Sequence, residues 1–168
     1  LAKYLYGAKV MVVGRIKHRL QAAKNMGADA VLELGENKGS PTSIIKEVLD
    51  LTDGKGADVS IIATPNLDAY EVAAGIASKN SVINVFAGMP RHGSLRLDPN
   101  WVHYNQIALI GSFSSTPKLI HESIELVAEK RGINLSSIIT HRCKLDEIYK
   151  ALEITEEFLG LRVVINSF

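Results

Sequence analysis

The residues able to do chemistry are few in this chain, and none stands in a catalytic spacing of its own. The five histidines are scattered. His141 and Cys143 flank Arg142 and offer two metal donors, where zinc takes three or four from protein. Gly54-Lys55-Gly56 opens like a G-x-G-x-x-G phosphate turn, but Val59 stands at the last glycine. It also lies between a helical pattern and a strand pattern, the reverse of the order such a turn needs, so it reads as a helix-ending turn. There is no G-x-x-x-x-G-K-[ST] loop and no G-x-S-x-G elbow. Asn134-Leu135-Ser136 matches a glycosylation triplet, which chance produces often.

What remains are small and polar residues just after β-branched runs, and those runs define the elements that must position them. Ala8 to Val13 is a strand stopping at Gly14, too apolar to face solvent on one side. Lys17 to Met26 has helical spacing and Gly27 as its stop; Ala30 to Glu33 is the next strand. Ser40-Pro41 is an N-cap followed by proline at the first helical position, and Ile44, Ile45, Val48 and Leu49 form that helix's apolar stripe. The cycle repeats with a strand at Asp58–Ala63, a helix capped by Asn66 and running to about Ser78, and a strand at Ser81–Ala87. A loop carrying Pro90, Gly93 and Pro99 leads to a strand at Gln106–Gly111. A helix follows from Thr116-Pro117 to about Arg131. Last come a short strand near Ile138-Ile139, a helix over Leu145–Phe158 and a strand at Arg162–Ile165.

Strands alternating with helices through short turns imply a parallel sheet covered on both faces, with ligands at the carboxyl ends of its strands. The useful positions are then Gly14-Arg15, Ala63-Thr64-Pro65-Asn66, Ala87-Gly88-Met89 and Gly111-Ser112-Phe113. Only seven residues precede the first strand, and they read as a helix end. A parallel crossover needs about a dozen residues, so a central strand and its glycine turn are expected upstream of this sequence.

Composition bounds the rest. The chain has 168 residues, 46% hydrophobic and 22% charged, with a formal net charge of +1. These values suit a globular domain and give no general reason to bind nucleic acid or an anionic membrane. The longest uncharged stretch, Asn100 to Pro117, is broken by polar residues and cannot span a bilayer. The lone Cys143 excludes an internal disulfide and points to a reducing, cytoplasmic setting. The N-terminus does not have the pattern of a secretion signal.

The order of several short motifs resembles a known family. Gly7-Ala8-Lys9-Val10, His18-Arg19-Leu20 and Met26-Gly27-Ala28-Asp29 are similar to the coenzyme half of zinc-containing, medium-chain alcohol and polyol dehydrogenases. So are Gly56-Ala57-Asp58-Val59 and Ser81 to Gly88, while His103-Tyr104 with Gly111-Ser112 and Ile138 to Arg142 resemble the sorbitol/threonine branch. No tyrosine has a lysine four residues later, which counts against short-chain dehydrogenases. The resemblance implies an α/β, Rossmann-like doubly wound parallel sheet without its first strand, over residues 1–132. It also implies a C-terminal segment, 133–168, packing toward an absent catalytic domain. By resemblance the parent enzyme moves hydride between NAD(P) and an alcohol/ketone pair on zinc. The zinc ligands and most of the substrate pocket belong to that absent domain, so this chain alone is expected to be inactive and its substrate, an alcohol or polyol, to be unreadable.

The cofactor-binding residues follow from strand ends and resemblance together. The family's acidic residue for the ribose hydroxyls falls on Gly14, and Arg15 follows it. Without a carboxylate to repel a 2′-phosphate, and with Arg15 able to pair with one, NADP is favoured over NAD. Arg19 resembles an arginine near the adenine. Thr64, Phe86, Ala87 and Gly88 fall at the switch side and under the nicotinamide, Ser112 and Phe113 beside its carboxamide, and Arg162 at the pyrophosphate. Trp101 to Tyr104 are read as core packing. Ile107 to Ile110 are read as an edge strand that pairs across a homo-oligomer. The competing readings are a non-catalytic nucleotide-binding module, a zinc-free reductase of the same fold and a methyltransferase. The last would want an acidic residue where Gly14-Arg15 stands; upstream zinc ligands would separate the others.

Overall fold

The computed structural model describes all residues except 36–38, 90–92, 130–133 and 168. Among the described residues seven strands and seven α-helices follow in order. They are α1 (Ala2–Tyr6), β1 (Met11–Gly14), α2 (Lys17–Asn25), β2 (Ala30–Glu33), α3 (Pro41–Leu51), β3 (Ala57–Ile62) and α4 (Leu67–Gly75). Then come β4 (Ala77–Val85), α5 (Pro99–Asn105), β5 (Ala108–Gly111), α6 (Pro117–Ala128), β6 (Ile139–Lys144), α7 (Ile148–Glu156) and β7 (Arg162–Ser167). Short 3₁₀ turns at Leu135–Ile138 and Leu145–Glu147 precede β6 and α7.

The strands form three sheets, ordered β1-β2, β3-β4-β5 and β6-β7, and the pairs β3–β4, β4–β5 and β6–β7 are parallel, as the alternation predicts. Among the described residues β1 pairs only with β2, and β3 only with β4. The chain divides into two compact units, Leu1–Val31 with Ser115–Phe168, and Leu32–Ser114.

In the second unit, register aligns Ile62 with Val85 and Gly111, and Ser60 with Ile83 and Leu109. Ile62 and Ile83 are buried with Tyr70, Ala73 and Ile107, and Trp101 and Val102 pack at the margin. The alternate positions Val59 and Ile61 are more than half exposed. α3 and α4 approach closely because residue 75 is glycine: a Cβ there would lie 2.4 Å from Ile45 Cδ1. In the first unit, Cys143 is buried with Ala151 and Ile154 against Val163 and Ile165, so the thiol is part of a core.

The two expected proline-led starts, at Ser40-Pro41 and Thr116-Pro117, hold, and α5 adds a third. The side chains of Ser40, Asp98 and Thr116 each accept a backbone N–H at the head of α3, α5 and α6, with proline in the first turn. α5 corrects the expected loop before the fifth strand. Asn66 also caps α4, accepting from the N–H of Asp68. α4 ends at Gly75, not near Ser78, because Ile76 offers its carbonyl to the Ala57 N–H at 2.7 Å and the chain turns into β4. β4 stops at Val85, since the N–H groups of Phe86 and Ala87 both turn to the Ile62 carbonyl. β5 begins at Ala108, because Gln106, at φ 55°, closes α5 and Ile107 is buried. The expected end of the sixth helix, near Arg131, lies outside the described residues, as does Pro90.

Candidate functional site

In the second unit three parallel strands deliver their carboxyl ends side by side. Thr64 follows β3, Phe86, Ala87 and Gly88 follow β4, and Ser112 and Phe113 follow β5. Six of the ten cofactor positions read from the sequence are therefore on adjacent strand ends of one sheet. Backbone bonds join these ends: Ala87 N–H donates to Ile62 O at 2.9 Å and Ser112 N–H to Val85 O at 3.2 Å. The Ser112 hydroxyl donates to Asn84 Oδ1 at 2.9 Å. Sequence reasoning passed over Asn84; its register opposite Ile61 and Ile110, one residue short of the strand end, was the available signal.

The ends are open. Phe113 is fully exposed, Phe86 is 64% exposed, and Thr64, Gly88 and Ser112 are exposed. A Cβ built on Gly88 or Gly111 would meet no atom within 4 Å, and neither glycine has a positive φ. Among the described residues, nothing requires glycine at either place.

The other four positions lie in the first unit. Gly14 ends β1, and a Cβ there would sit 3.2 Å from Cδ2 of the buried Leu20, so any side chain at 14 would need Leu20 to give way. Arg15 follows on the surface, before α2. Arg19 is half-buried in α2, and Arg162 is exposed at the first position of β7. The Arg19 guanidinium donates from Nη2 to the Gly160 carbonyl at 2.7 Å and lies 5.1 Å from the Phe158 ring centroid.

Among the described residues no group of three or more His, Cys, Asp or Glu is placed to hold a metal ion. His141 accordingly finds a hydroxyl partner, Thr140 Oγ1, at 3.0 Å, and Cys143 packs inward. No described helix is long and apolar enough to cross a membrane. An open groove of about 410 Å³ lined by Leu119, Ile120, Ile124 and Leu135 carries no charged group and none of the strand-end residues. The Trp101–Tyr104 group divides: Trp101 and Val102 pack against the core, while His103 and Tyr104 are exposed and meet edge to face at 5.0 Å.

Parallel strands, helical crossovers and small open residues at the strand ends define a Rossmann-like coenzyme-binding fold. An alcohol dehydrogenase from Thermotoga maritima superposes with a TM-score of 0.83 at 24% identity, covering 96% of this chain and 44% of that one. An alcohol dehydrogenase from Aeropyrum pernix gives 0.80 at 23% identity, covering 98% and 44%. The family model described as zinc-binding dehydrogenase matches residues 1–129, and the chain belongs to that family. Sorbitol dehydrogenase of Ovis aries is 31% identical over 98% of this chain and 45% of its own length. D-arabitol-phosphate dehydrogenase of Enterococcus avium is 29% identical over 96% and 44%. The chain thus spans less than half the length of the relatives it matches.

Proposed function

We propose that this chain is the coenzyme-binding and C-terminal part of an NAD(P)-dependent alcohol or polyol dehydrogenase. The observation that carries the reading is the row of three parallel strand ends bearing Thr64, Phe86 to Gly88, and Ser112-Phe113, with Gly88 and Gly111 open above the backbone. In dinucleotide-binding sheets this is where the ligand lies. Bound there, the dinucleotide supplies the hydride acceptor at its nicotinamide ring. Thr64 and Ser112 then offer hydroxyls, Phe86 and Phe113 apolar surface, and Gly88 an unobstructed backbone. Arg15 and Arg162, in the first unit, are the basic residues that the family resemblance assigns to the phosphates.

Residues 1–132 form the nucleotide-binding part in this reading and 133–168 the segment toward the catalytic domain. The polyol relatives support an alcohol or polyol substrate. The zinc donors are not among the described residues, so substrate polarisation is assigned to no group here, and the chain by itself turns over no substrate. Among the described residues β5 is an edge strand with all four residues exposed, which suits pairing with a second copy near Ile107–Ile110.

NADP is preferred over NAD. A residue with a carboxylate at position 14 would repel a 2′-phosphate, and its Cβ would sit 3.2 Å from Leu20 Cδ2, which would have to shift slightly. One charge-assisted contact from Arg15 contributes roughly 1.5–3 kcal/mol, a preference of about ten- to hundredfold. The test is fluorescence titration of the full chain with NADPH and NADH, in wild type and in Arg15→Glu. The preference is expected to collapse or invert in the variant; an unchanged ratio discards the assignment.

A further inference from the structure

We draw no further inference here: the strongest candidate, the open apolar groove that Leu119, Ile120 and Ile124 of α6 form with Leu135, carries nothing, because no observation in the structure shows what covers it.

Discussion

Replacing Gly56 with alanine strikes the point where the strand carrying Thr64 enters its sheet. Gly56 has φ +84°, and a Cβ would lie 2.3 Å from the Ile76 carbonyl oxygen and 3.2 Å from its carbon. That carbonyl cannot retreat freely, because it accepts the Ala57 N–H at 2.7 Å, the first rung between β3 and β4. Gly54, two residues earlier, has φ +76° with nothing within 4 Å of its Cβ position. Gly54→Ala therefore meets backbone strain alone, about 1–2 kcal/mol. Gly56→Ala meets the same strain and also displaces the rung, a further 1–3 kcal/mol or so. With a urea slope of about 1–3 kcal/mol per molar, the clash alone should lower the midpoint by roughly 0.5–1.5 M relative to Gly54→Ala. Trp101, the chain's single tryptophan, packs against the core of the same unit and reports its unfolding by fluorescence. Equal midpoints for the two variants would refute the steric argument.

Two further outcomes can be checked in the same way. The Asp29 carboxylate is hydrogen-bonded by Lys3 and by the Val10 N–H, and these hold its pKa below the ordinary carboxylate value. A depressed folded pKa means stability that is complete above about pH 4 and lost as pH falls through the lower folded value. The Tm gap between wild type and Asp29→Asn should thus hold from neutrality to about pH 4 and close below it; a gap that widens on acidification would contradict the sign. Ser40 Oγ accepts the Ser43 N–H at 3.2 Å at the start of α3, so Ser40→Ala should cost about 1 kcal/mol in urea melts and Ser40→Asp almost nothing.

Most element starts were legible because their signals are local. A capping residue acts within four residues, and the heads of α3, α4 and α6 stand where Ser40, Asn66 and Thr116 put them. α5 carries the same signature in Asp98-Pro99, and only its seven-residue length, between loop residues, hid it. The ends of α4 and β4 were displaced by bonds to Ala57 and Ile62, residues of another strand, which no window on the sequence contains. The Arg19–Gly160 contact is hidden for the same reason: the resemblance indicated a ligand role for Arg19, while its partner lies 141 residues away.

The strand ends pose the opposite case, in which the residues were legible and the reason for them was not. Glycine, serine and threonine after a strand serve turns in any α/β protein. What separates the two roles is whether the fold itself demands the residue. Gly56 has a carbonyl against it and a left-handed backbone, and Gly160 has Thr140 and His141 against it; these two are explained by the chain alone. Among the described residues, Gly88 and Gly111 have neither a positive φ nor any atom within 4 Å of where a side chain would begin; Gly111 ends β5 and Gly88 is the third residue after β4. Both lie beside a backbone edge that also collects Thr64 and Ser112, where the described residues leave room for a larger side chain. Under the proposed function, a dinucleotide lying across the strand ends would account for both glycines at once.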